Sequence, residues 1–255
     1  MKNIKNIIVV SAAKGGVGKS TVAFNLALAL KQQNYQVGIL DGDIYGPNQA
    51  KLFGLNNKKV STISTGKFLP LINKGILSMS IAYVVNNQQA IIWRGPMASK
   101  FFKQMLLQTE WGNLDYLIID MPPGTGDIQL SLSRELTMAQ VVLVSTPQEL
   151  SQDDLLKAIV MWQKVQINIL GIVVNMAYYI CDNCEKKHYI FGENNLKQLA
   201  DKYHLTILEN LALSEIISNL NNENIFTNIN AKYLATNYNN LANKIIHKLN
   251  TEVII

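Results

Sequence analysis

The run Ser11-Ala-Ala-Lys14-Gly15-Gly16-Val17-Gly18-Lys19-Ser20-Thr21 follows a short apolar stretch, residues 7–10, and opens an apolar helical pattern over residues 19–33. Glycines let backbone N–H groups converge on an anion with no Cβ in the way, and a helix N-terminus adds partial positive charge. Gly15, Gly16, Val17 and Gly18 would form such a phosphate cradle. Lys19 would reach the β- and γ-phosphates of a nucleotide, the Ser20 hydroxyl would ligate Mg²⁺, and the Thr21 hydroxyl would reach the α-phosphate. A glycine-rich turn that binds nothing is the plainer alternative, and it leaves the strand, loop, helix and Lys-Ser-Thr order unexplained.

Carboxylates fall where the next apolar runs end. Asp41-Gly-Asp43 follows residues 37–40, at the carboxyl end of an expected parallel strand, where open α/β sheets place their ligands. Asp43 is the candidate to orient an attacking water, with Asp41 in support. The competing role for either is to cap the next helix. Asp120 closes the apolar run Leu114-Asp-Tyr-Leu-Ile-Ile-Asp120 and would hold Mg²⁺ through a water, since that ion keeps much of its hydration. The segment Met121-Pro-Pro-Gly-Thr-Gly-Asp127 is stiff and then free, which suits a loop ordered by one nucleotide state and released by another. Asn175 ends the run 171–175 and carries both a donor and an acceptor for an adenine edge; a turn asparagine is the alternative.

The cysteines, Cys181 and Cys184, stand two residues apart in a polar stretch. A secreted disulfide framework needs more, so a metal or redox role is expected. Zinc on Cys181, Cys184 and His188 is one possibility, and a redox dithiol another.

The elements that must position these residues alternate. Apolar runs at 7–10, 37–40, 114–119, 141–145 and 170–174 read as buried parallel strands, separated by helical patterns at 19–33, 99–109, 129–136 and 148–165. The fold class expected is α/β: a doubly wound, mostly parallel sheet with helices on both faces, in a single domain over residues 1–255. Residues 64–82 read as an inserted hairpin around Asn73-Lys74-Gly75, and residues 176–192 as an insertion carrying the cysteines. In residues 231–249, Leu234, Tyr238, Leu241, Ile245 and Leu249 form one helical stripe, expected to pack as core.

Composition excludes several classes. A net charge of +5 is spread over scattered lysines, with Arg94 and Arg134 the only arginines, so no nucleic-acid footprint is expected. The apolar start is too short for a signal core or a membrane span, and a soluble, cytoplasmic protein is expected, without membrane partners.

The chain resembles the Mrp/ApbC (Nbp35-like) family of iron–sulfur cluster carrier ATPases. The resemblance rests on Lys14–Thr21, Asp41-Gly-Asp-Ile-Tyr-Gly-Pro47, Trp93-Arg-Gly-Pro-Met97, Asp120–Asp127, and Asn175-Met-Ala-Tyr-Tyr followed by Cys181-Asp-Asn-Cys184. Lys-Gly-Gly-x-Gly-Lys-Ser-Thr, with Ala13 where a strict Walker loop has glycine, is similar to the deviant Walker A loop of the MinD/ParA class. That likeness implies that Lys14 reaches the nucleotide of a partner subunit. It further implies ATP binding and slow hydrolysis, a homodimer, and a labile [4Fe–4S] cluster shared between subunits and passed to apoproteins. Cluster chemistry agrees, because four thiolates are the usual set and two symmetric chains supply four. This chain departs at Gly42, where alanine is common, and at Glu185, where the family often carries glycine. The rival function is a MinD-like positioning ATPase with a structural zinc or redox pair; its membrane helix should be basic, yet the chain ends Asn250-Thr-Glu-Val-Ile-Ile255.

Overall fold

The apolar runs form one sheet whose central strands lie parallel. The computed structural model describes residues 3–85, 94–181, 183–192, 196–218 and 224–251, without the side chains of 127, 128, 149 and 150. Trp93, Asp182 and the last four residues therefore lie outside the described residues, as do Met1 and Lys2.

In chain order the first half comprises β1 (Ile4–Ser11), α1 (Lys19–Gln32), β2 (Val37–Asp41), α2 (Gln49–Leu52), β3 (Ser61–Thr62), β4 (Phe68–Leu69), β5 (Leu71–Asn73), β6 (Ile76–Met79), α3 (Gly95–Gln108) and β7 (Leu114–Asp120). The second half comprises α4 (Asp127–Ser133), β8 (Ala139–Ser145), α5 (Glu149–Lys164), β9 (Ile169–Ile180), β10 (Lys187–His188), α6 (Leu196–Lys202), β11 (Ile207–Leu213), α7 (Glu215–Ser218) and α8 (Lys232–Thr251). The strand order is β10-β9-β8-β1-β7-β2-β6-β5, with β11 also on β9. Strands β9, β8, β1, β7, β2 and β6 pair in parallel. Chain order and space order diverge at β1, whose neighbours are β7 and β8, and the loop after β1 carries the glycine run. This is the switch point at which open α/β sheets bind ligands.

Helix α1 has no polar face to speak of: residues 22–30 are buried without a break, because the helix lies between the sheet and α8. The predicted stripe on α8 is core, with Leu234, Tyr238, Leu241, Ile245 and Leu249 all buried. Its apolar face is therefore spent on α1 and β11. Among the described residues no helix is long and apolar enough to cross a membrane.

Two segments differ from the sequence expectation. The hairpin around Asn73–Gly75 forms, as β5 and β6, but β6 pairs in parallel with β2, so the hairpin is an edge of the main sheet. Asn175 does not end its strand. β9 continues to Ile180, and the cysteine segment is the tip of a hairpin between β9 and β10, continuous with a central strand.

Candidate functional site: a phosphate loop and a thiolate hairpin

The glycine run turns between β1 and α1 through two left-handed residues, Gly16 at φ 84° and Gly18 at φ 83°. A Cβ on Gly18 would lie 2.3 Å from Asn175 Nδ2, so glycine is required there for space as well as for φ. A Cβ on Gly15 or Gly16 would meet nothing within 4 Å, which is the open side of the cradle. Helix α1 begins at Lys19 with Gly18 as its N-cap and no side-chain cap, so its first N–H groups are left for an anion. The loop faces a cavity of about 680 Å³ lined by Lys14, Gly15, Gly16, Gly18, Lys19, Ser20 and Thr21 together with Asp43 and Pro123. Phe24, Leu52 and Ile217 add apolar wall, large enough in sum for a nucleotide. Val17 is buried beneath the loop, and Lys14 is exposed at its rim.

Below the loop, Lys19 and Asp120 form a buried ion pair, the Asp120 carboxylate having no exposed surface. Lys19 Nζ also lies 3.3 Å from Ser20 Oγ. The second Asp120 oxygen accepts from Gln49 Nε2 at 2.8 Å, and the same nitrogen donates to the Ser20 carbonyl at 3.0 Å. Sequence reasoning passed over Gln49, since a glutamine at the start of a four-residue helix carries no signal of its own.

Asp41 and Asp43 play different parts. Asp41 is fully buried and accepts from the backbone N–H groups of Asp43 (3.2 Å) and Gln49 (3.0 Å) and from Ser80 Oγ (3.1 Å). Burial and the neighbouring Asp120 charge push its carboxyl up to about 8. It ties β2, α2 and β6 together, the capping alternative in its remote form. Asp43 lines the cavity and accepts from Gly46 N at 3.1 Å; burial raises its pKa, with Lys19 opposing.

Asn175 sits behind the phosphate loop. After Val174 the pairing with β11 slips, from Val174↔Asn210 to Tyr178↔Ala212, and Met176 takes φ 55°. Such bulges re-aim side chains beside functional sites. Here Asn175 Nδ2 donates to the Val17 carbonyl at 2.9 Å. The donor that the sequence reading gave to the adenine edge is thus held by the loop itself. Gln129 is a second brace that the sequence did not reveal: its Oε1 accepts from Gly126 N at 3.0 Å and its Nε2 donates to the Pro123 carbonyl, fixing the turn after Asp120.

At the far end of β9, Cys181 N donates to the Lys186 carbonyl (3.0 Å) and Glu185 N to the Cys181 carbonyl (2.8 Å), closing a tight turn. The turn brings Cys181 Sγ, Cys184 Sγ and a His188 ring nitrogen within 4.8 Å of one another. Cys184 and His188 are exposed. Glu185 takes φ 57°, a conformation that favours glycine, which gives a physical reason for the glycine that related chains are expected to carry there. Tyr189 and Ile190 follow His188 on the surface at 50% and 58% exposure.

A phosphate loop at the switch point of a parallel sheet, closed by an acidic strand end, defines a P-loop nucleotide-binding protein. A family model described as NUBPL iron-transfer P-loop NTPase, of the ParA group, matches residues 3–246, and the chain belongs to that family. It is 47% identical over 213 residues to an iron-sulfur cluster carrier protein of Escherichia coli (strain K12), covering 84% of this chain and 58% of that protein. An iron-sulfur cluster transfer protein NUBPL of Dictyostelium discoideum is 42% identical over 214 residues, 84% of this chain and 66% of that one. The chain thus spans well under the full length of these relatives. Among solved structures, a nucleotide-binding protein of Archaeoglobus fulgidus in complex with ADP superposes with a TM-score of 0.73 at 34% identity, covering 94% of this chain and 89% of the other. The cell-division ATPase MinD of Pyrococcus furiosus shares the fold, with a TM-score of 0.71 at 19% identity and coverage of 96% and 99%.

Proposed function

We propose that the chain binds and hydrolyses ATP with Mg²⁺, and that it carries a [4Fe–4S] cluster on Cys181 and Cys184 between two copies of itself for delivery to apoproteins. The observation that carries this reading is the pair of sites on one sheet: an open phosphate loop at the end of β1, and convergent thiols at the tip of β9. The cluster is cargo. The names of the relatives, carriers and transfer proteins of iron–sulfur clusters, support that assignment.

The residues fit both groups. Ser20 Oγ and Asp120 offer the hard oxygens that Mg²⁺ takes, and the ion would supply charge neutralisation at the β- and γ-phosphates. Two thiols in one chain satisfy half of a four-iron cluster, so a second copy completes the set. The exposure of Cys184 and of Tyr189–Ile190 suits a site closed by a partner.

The chain's own work begins with Lys19. An incoming phosphate would draw its ammonium from Asp120 and leave that carboxylate to hold Mg²⁺ through water. Asp43, on the cavity wall, is the group placed to orient an attacking water; burial raises its pKa and the Lys19 charge opposes that rise. Lys14, at the rim, would add positive charge to the partner's nucleotide as the transition state develops. Coupling would run through Asn175, since β9 braces the loop at Val17 and leads, beyond the Met176 bulge, directly into Cys181.

His188 favours a second reading, a mononuclear zinc site completed within one chain by Cys181, Cys184 and one further ligand. The test of the first reading is anaerobic transfer: cluster-loaded protein mixed with an apo-enzyme that needs a four-iron cluster, with enzyme activity followed with and without ATP. Activation that requires the loaded chain supports delivery. A loaded chain that never activates the apo-enzyme contradicts it.

A further inference from the structure

We infer that Gln49 is a positioning residue for the magnesium ion, a role that rests on the nucleotide-binding reading and deepens it. Its side chain is fully buried. Nε2 bridges the Asp120 carboxylate, assigned to magnesium, at 2.8 Å and the backbone carbonyl of Ser20, whose hydroxyl is assigned to the same ion, at 3.0 Å. Both partners are acceptors only, so the amide orientation is fixed: nitrogen toward them, oxygen away. Its backbone N–H is bound in turn to buried Asp41, so neither end of the residue is left to drift.

The oxygen is the informative atom. Gln49 Oε1 is buried and has no hydrogen-bond partner among the described residues. A buried acceptor left unpaired is costly and calls for a donor that arrives with a ligand. The carboxamide is rigid, so the bond its nitrogen makes to Asp120 also fixes where this acceptor lies. When Lys19 turns to the phosphates, Asp120 loses its cation, and Gln49 is the remaining side chain that the structure shows bonded to it. A water held on Asp120 with magnesium would be a donor of the right chemistry, offering a hydrogen bond to Gln49 Oε1. The glutamine would then hold the carboxylate in place through the exchange of lysine for ion. Lys19 cannot do this itself, because it changes partners.

The experiment measures ADP affinity calorimetrically, with Mg²⁺ and with EDTA, for the full chain and for Gln49→Met and Gln49→Ala. Met keeps the length and apolar bulk but neither bonds nor accepts, which guards against a variant that merely fails to fold. The expected result is that the ratio of affinities with and without Mg²⁺ falls about tenfold in both variants, the worth of one hydrogen bond to a charged group. Gln49→Glu, which restores an acceptor beside Asp120, should recover part of the ratio at low pH. A merely structural glutamine would weaken both affinities alike and leave the ratio at the wild-type value, and that result overturns the inference. If the wild-type chain binds no ADP under either condition, the nucleotide reading itself fails; if it binds with a magnesium-dependent ratio that Gln49→Met retains, only the role of Gln49 does.

Discussion

Lys19 and Asp120, 101 residues apart in the chain, meet as a buried ion pair under the phosphate loop. Each is the residue that the sequence assigns to a different part of a nucleotide complex, the lysine to phosphate and the aspartate to magnesium. In the ligand-free protein they satisfy one another. On the proposed reading a phosphate takes the lysine and magnesium takes the carboxylate, so nucleotide bound without the metal would leave the buried Asp120 charge without its partner and should bind more weakly.

Lys19→Ala should therefore fail in two ways. Nucleotide binding should be lost, since Lys19 is the buried cation of the cavity, and the ligand-free protein should lose about 3–5 kcal/mol through the uncompensated Asp120 charge. Calorimetry and urea unfolding check the two effects. Wild-type affinity in the variant would remove Lys19 from the phosphate site.

Lys14→Ala should separate binding from turnover. Lys14 is exposed at the rim of the cavity and makes no ion pair among the described residues, so its loss should leave affinity within a few-fold while hydrolysis falls by two or more orders of magnitude, the scale of one lost transition-state charge contact. Steady-state phosphate release against equilibrium ATP binding is the measurement. Equal losses in both would make Lys14 an ordinary loop residue.

Asn175→Ala should weaken ATP and GTP alike. The side chain holds Val17, not open space, so the expected cost is about 1–3 kcal/mol from an unbraced loop carbonyl. Competition between the two nucleotides decides the matter: an unchanged ratio with lower affinities fits the brace, and a changed ratio would return Asn175 to reading the base.

Glu185→Gly should tighten the thiolate hairpin. A left-handed non-glycine residue costs roughly 1–2 kcal/mol, of which glycine returns a part after its own entropy loss. The readout is metal affinity by chelator competition, which should rise a few-fold. A weaker site would show that the Glu185 side chain contributes to it.

Much of this site was legible in the sequence because its signals are local. Lys14–Thr21 sit between a strand and a helix, and two of the three glycines in the pattern, Gly16 and Gly18, are found at positive φ. Asp120 could be placed because an apolar strand ends at it. For Asn175 the strand is legible but the bond to the Val17 carbonyl is not: a strand-interior bulge at Met176 leaves no mark in a run of apolar residues, and it lies beside the amide that reaches Val17. Gln49 and Gln129 were invisible for a related reason. Their roles are hydrogen bonds across 71 residues in one case and to a loop carbonyl in the other, and neither has a periodicity to betray it. Residues 64–82 read as an inserted hairpin because the parallel pairing of Leu77–Met79 with β2 is a long-range fact.

The central claim is tested most directly by the metal content of anaerobically reconstituted protein, resolved by mass. A dimer with about four irons and four sulfides, absent in Cys181→Ala and Cys184→Ala and retained in Lys19→Ala, is the predicted result. A monomer holding stoichiometric zinc that iron and sulfide do not displace, and that Cys181→Ala, Cys184→Ala and His188→Ala each release, would contradict it.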